Sequence, residues 1–145
     1  MIAKDAAQNL AQERADDIWV ADRACRYSGI SLDRVAPGEA VLSMTVTSHM
    51  LGPDATCARG AAFLLACAAL EIASTTRGPR TVAEHCEISF RTSAVLGERL
   101  VAYAHERHLS DHTGIYDVTV QTEDGRHVAE LRGHTHAVIG GGKPY

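Results

Sequence analysis

Cys67 and Glu71 stand four residues apart in a run dominated by Ala and Leu, so on a helix their side chains share one face. A carboxylate in an otherwise apolar helix costs free energy unless it is paired, solvated or in use. Glu71 therefore reads either as a partly exposed residue near the helix end or as a ligand-binding group. Cys67 reads either as a small core side chain or as a thiol nucleophile. Arg59 falls in the first turn of the same run, where free N–H groups and the helix dipole favour an anion or a developing oxyanion. A cation there is electrostatically out of place. Either it points into solvent, or it faces an anionic ligand such as a phosphate or a carboxylate.

Alternation along Thr81–Thr92 puts Val82, Glu84, Cys86, Ile88 and Phe90 on one face and Ala83, His85, Glu87, Ser89 and Arg91 on the other. Glu84 then interrupts the apolar face, as a residue at a wet strand end or as a carboxylate lining a pocket. In the last strand Glu130, Arg132, His134 and His136 share one face, opposite Ala129, Leu131, Gly133, Thr135 and Ala137. The alternate histidines have no evident third ligand, so no metal site is expected. That face is expected to be solvated, with Arg132 and the histidines also placed to meet ligand phosphates.

These residues need elements to hold them. Ala3–Tyr27 has helical composition, in two pieces expected to break near Asp16-Asp17, and Ser28-Gly29 ends it. Ile30–Val35 and Ala40–Thr47 read as strands about the turn Ala36-Pro37-Gly38-Glu39. An irregular loop, Ser48–Thr56, leads to Cys57–Thr75, which is apolar on nearly all sides and so a buried helix. Thr81–Thr92, Leu100–Leu109, Gly114–Thr122 and His127–Val138 read as four further strands, the last two joined by Glu123-Asp124-Gly125, a strong hairpin signal. One buried helix and one antiparallel sheet must cover each other, which is an α+β architecture. The helix is too apolar for one small sheet to cover, so a second copy is expected against it, with a pocket at the junction.

Composition narrows the function classes. The chain has 145 residues, 46% of them hydrophobic and 22% charged, which is the composition of one globular domain. Its net charge is −4 and it has no basic run, so nucleic acid is not an expected partner. The four cysteines show no CxxC spacing, and no segment is long and apolar enough to span a bilayer. A soluble, reduced, cytoplasmic domain is expected. No GxGxxG, GxSxG, P-loop or HExxH occurs, which argues against a nucleotide enzyme, a serine hydrolase or a zinc protease.

Several segments, in order, resemble the PaaI-type (phenylacetic-acid-degradation) branch of the hot-dog thioesterases. They are Met50-Leu51, Thr56-Cys57, Gly60-Ala61 and Phe63 at the helix start, Val82–Phe90, Thr113–Val118, and Asp124-Gly125-Arg126 followed by Val128-Ala129 and Arg132-Gly133. Ala21-Asp22-Arg23 with Gly29-Ile30 is similar too. The resemblance implies a hot-dog fold at 29–139, a long central helix wrapped by a curved antiparallel sheet. Residues 1–28 are then an N-terminal helical segment packed on it, and 140–145 a flexible tail. It also implies a homodimer or dimer of dimers, and acyl-CoA thioesters bound at a site shared between subunits, with no cofactor.

The family's Asn-Gly-His-Gly-Thr-Cys-His-Gly-Gly loop is replaced here by Gly52-Pro53-Asp54-Ala55-Thr56-Cys57-Ala58-Arg59-Gly60. Gly52 stands for the Asn, Ala58 for the second His and Arg59 for the oxyanion-binding Gly, while the helix carboxylate falls on Cys67. The Phe-Leu-Arg-Pro run becomes Phe90-Arg91-Thr92-Ser93. Two readings follow from the resemblance. In one, hydrolysis is retained with moved parts: Arg59 and Gly60 offer backbone N–H groups to the thioester carbonyl, and Glu84, as general base or nucleophile, stands in for the helix carboxylate whose position is Cys67. Asp54, Ala58, Glu71, Arg132 and His134 are then the expected substrate-binding residues, with an aryl or medium-chain acyl group. In the other, the chain binds acyl-CoA or acyl-carrier thioesters without cleaving them.

Overall fold

The computed structural model describes residues 1–138, so the tail 140–145 expected to be flexible lies outside the described residues. The N-terminal segment forms α1 (Ile2–Ala21) and α2 (Arg23–Tyr27). The break falls at Asp22, not at Asp16-Asp17. Asp16 stays on the helix surface, accepting a hydrogen bond from Gln12 Nε2 at 2.9 Å. Asp22 instead leaves helical geometry and caps α2, accepting from the Cys25 amide at 3.0 Å.

The antiparallel strands β1 (Ser31–Ala36) and β2 (Glu39–Thr45) turn at Gly38, whose φ of 78° is left-handed backbone that glycine adopts without strain. After the loop comes α3 (Arg59–Thr75), then β3 (Thr81–Phe90), β4 (Arg99–Ser110), β5 (Thr113–Thr122) and β6 (His127–Ala137). The helix begins two residues later than the apolar run suggests, because Cys57 bridges to Leu51 and Ala58 is extended. The six strands form one antiparallel sheet in the order β1-β2-β4-β5-β6-β3, which leaves β1 and β3 at its edges. This is the hot-dog arrangement, with α3 lying against one face of the sheet.

The core is the contact between α3 and that face. Leu65, Leu70 and Ile72 of the helix pack with Leu42, Met44, Leu100, Val118, Val120 and Leu131 of the strands, all almost wholly buried. Burial alternates strictly along β6 from Glu130 to Ala137, as two-residue periodicity requires. Gly133 marks the closest approach: a Cβ there would lie 2.1 Å from Leu70 Cδ1. At the far end of α3, buried Tyr116 donates to Glu106 Oε2 at 3.1 Å, and Arg77 grips the same carboxylate. No described helix is long and apolar enough to cross a membrane.

Candidate active site

The loop before α3 is built to hold one shape. The Gly52 amide donates to Thr56 O at 2.8 Å, Cys57 N–H to Ala94 O at 2.8 Å, and Ala58 N–H to Met50 O at 2.7 Å. Asp54 Oδ1 accepts from the Thr56 hydroxyl at 2.8 Å and from the Thr56 amide at 3.2 Å. These bonds, with a smaller contribution from the charge of Arg59, hold the Asp54 carboxyl below the usual range and keep it ionised. Between these turns Ala55 adopts a φ of 60°, uncommon outside glycine.

The loop closes against the end of β3 to form a groove of about 510 Å³. Asp54, Ala58 and Arg59 line one side, and Phe90 with the segment to Ala94 lines the other. The helix start opens into it. Ala58, as the N-cap residue, has no side-chain acceptor, so the Arg59 and Gly60 N–H groups are unpaired among the described residues. No heavy atom lies within 4 Å of the Cβ position of Gly60, so a side chain could be accommodated there. The Arg59 guanidinium lies 5.7 Å from the centre of the Phe90 ring. This constellation can polarise a carbonyl and hold an anion over an apolar floor.

The other residues singled out from the sequence lie outside this groove within one chain. Glu84 does not face inward with Cys86 and Ile88. The register between β3 and β6 slips between Ala83 and His85, so Glu84 is the extra residue of a β-bulge. Its side chain is 59% exposed, with an oxygen 3.9 Å from His136 Nδ1 on the outer face. Strict alternation fails there because a bulge restarts the period. Arg132 is also on the outer face, clamped on Asp117 at 2.7 and 2.8 Å, and His134 packs edge-on to His85.

Cys67 and Glu71 follow Arg59 by two and three turns, roughly 12 and 18 Å along the axis. Cys67 is half-buried beside Cys86, and burial with the nearby Glu71 charge pushes its thiol up to about 12, so it stays protonated at neutral pH. Burial raises Glu71 as well, with Asp22 adding to the shift and the Ala83 amide offsetting part of it. Among the described residues no three His, Cys, Asp or Glu side chains are arranged to hold a metal ion.

Thr56 and Ala94 drew no individual role from the sequence, although both fix the groove. The Asp54-Ala55-Thr56 spacing, an acceptor two residues before a hydroxyl and its amide, was the available signal for the first. Ala94 has no such signal, because it acts through its backbone carbonyl.

A six-stranded antiparallel sheet around one long helix, with a groove at the helix start, defines a hot-dog thioesterase fold. The chain belongs to the thioesterase superfamily, whose pattern it matches over residues 57–129. Its relatives include acyl-coenzyme A thioesterase PaaI of Escherichia coli (strain K12), 33% identical over 130 residues, or 90% of this chain and 93% of that protein. The solved structure of the E. coli PaaI protein, from the phenylacetic acid degradation operon, superposes with a TM-score of 0.90 at 32% identity, covering 92% of this chain and 96% of that one. A Thermus thermophilus protein does so with a TM-score of 0.77 at 34% identity, covering 81% and 98%.

Proposed function

We propose that this protein is an acyl-CoA thioesterase whose reaction takes place in the groove at the start of α3. The observation that carries the reading is the unpaired start of α3: Arg59 lines the groove, and its N–H and that of the adjacent Gly60 have no partner among the described residues. A thioester carbonyl seated there receives hydrogen bonds that strengthen as the tetrahedral oxyanion develops. Water attacks the carbonyl carbon as Asp54 takes one of its protons, the C–S bond breaks, and that proton passes to the departing sulfur, so the products are the free acid and CoA thiol. Asp54 is the carboxylate that lines the groove, and its second oxygen is left to orient the attacking water. Glu84 has no part in this groove. The apolar floor of Ala62, Phe90 and Val128 supports an aryl or medium-chain acyl group.

A homodimer completes the reading. β3 is an unpaired sheet edge, and beside it Phe63 and Phe90 are exposed apolar side chains, so a second copy laid along this edge buries both and walls the groove. A soluble acyl-CoA substrate supports a cytoplasmic location.

One observation favours a second reading, binding without turnover. Asp54, the carboxylate that lines this groove, has its basicity lowered by Thr56, and Cys67 is protonated. Thiol release by the purified protein from phenylacetyl-, benzoyl- and hexanoyl-CoA decides between the two. Saturable release above the spontaneous rate upholds the hydrolase. Tight CoA binding with no release from any of the three, nor from glutaryl-CoA, assigns the binder.

A further inference from the structure

Among the described residues, Arg59 is the cation of the groove that no carboxylate holds. Arg91, the other arginine on its lining, is paired with Glu130 at 2.9 Å. Asp54 is turned to Thr56 rather than into an ion pair. The Arg59 guanidinium rests instead by the Phe90 ring, and although Asp54 is near enough to feel its charge, no carboxylate is bonded to it. That charge stands one side chain's length from the amides that receive the thioester carbonyl.

The distance discriminates between anions. In CoA the whole pantetheine arm separates the sulfur from the nearest phosphate, so with the carbonyl on these amides the phosphates lie beyond the reach of the Arg59 side chain. A carboxylate carried by the acyl group a few bonds from the carbonyl lies within it. We infer that Arg59 makes this a site for acyl thioesters whose acyl group bears a carboxylate, read by the guanidinium over Phe90. The inference rests on the thioesterase reading above. It adds the substrate class.

The test compares glutaryl-CoA with pentanoyl-CoA, which match in chain length and differ in the terminal carboxylate. Thiol release is measured and corrected for spontaneous hydrolysis. The wild-type kcat/KM ratio is expected to favour the carboxylated substrate by roughly ten- to a hundredfold, the range of a charge-assisted hydrogen bond. Arg59→Leu keeps the backbone amide and should bring the ratio close to one. Arg59→Lys keeps the charge and should retain most of it. A wild-type ratio near one, or an unchanged ratio in Arg59→Leu, overturns the inference. Equal loss on both substrates, with weaker binding of free CoA, also overturns it and assigns the side chain to a phosphate.

If neither substrate is cleaved, the hydrolase reading fails and the inference is read separately, from the Kd values of the non-hydrolysable thioether analogues of the same pair. A preference for the carboxylated analogue that Arg59→Leu removes upholds it. Equal affinities overturn it.

Discussion

Leu70 of α3 sits directly over Gly133 of β6, in the space a Cβ would occupy, with its Cδ1 2.1 Å from that position. The helix can lie this close to the sheet because the strand offers no side chain there. Gly133→Ala should cost roughly 1–3 kcal/mol, the usual penalty for overpacking a core. Urea denaturation measures it. In combination with Leu70→Ala the two losses should be clearly less than additive, because the smaller side chain removes the collision. Strict additivity would show that the strain lies elsewhere.

The groove and the outer face make opposite predictions for two carboxylates. Asp54→Asn should lower kcat by about 10²-fold or more, the scale of a lost base or water-orienting group. Glu84→Gln should leave kcat/KM within about twofold, since its side chain stands on the other side of the sheet beside His136. The reverse ranking would return catalysis to the bulge.

Glu71 should weaken the protein at neutral pH. Its folded carboxyl is raised by burial above the unfolded value of about 4.3, so the native state binds the proton more tightly. The stability this provides is present at acid pH and is lost as pH rises through the folded value. Glu71→Gln should therefore raise the melting temperature at pH 7, with the gain fading toward pH 4. Calorimetry across that range checks the sign.

Asp117 should behave in the opposite sense. Arg132, and then Arg107, hold its carboxyl below the usual range. Its contribution is full above the unfolded value of about 3.9 and is lost as pH falls through the lower folded one. Asp117→Asn should cost at most about 1 kcal/mol at pH 7, because both arginines are largely exposed and the pairs are screened. The acid limb of the stability curve should flatten in the variant.

Asp22 should matter where Asp16 does not. Asp22→Ala removes the cap of α2 and should cost about 1 kcal/mol. Asp16→Ala loses one exposed bond to Gln12 and should change the denaturation midpoint very little.

The fold could be read from periodicity wherever periodicity was unbroken. From Glu130 to Ala137 each residue takes the face its position requires, and the apolar run ending at Thr75 gives the buried helix. The reading failed where one residue changes phase. Nothing in Val82–Cys86 announces a bulge, since the extra residue is set by how β6 pairs with β3, a non-local matter. Likewise Asp16 and Asp22 are equal as cap candidates on composition, and the packing of Cys25 beneath α2 decides between them. In the site, Thr56–Gly60 marked the helix start. That Thr56 would occupy Asp54, and Phe90 would support Arg59, depends on a loop and a strand end meeting in space.

The kink at Glu84 also bears on the protein's safety in a crowded cell. A sheet rim with open amides and carbonyls invites runaway stacking of strand on strand, which ends in fibrils. On β3 the regular rim runs three residues, Thr81 to Ala83, before the extra residue breaks it and sets a negative charge outside. Where no second copy covers it, an incoming foreign strand finds no straight ten-residue template, only the short stretches Thr81–Ala83 and His85–Phe90. The Glu84 carboxylate thus helps make this margin a poor seed.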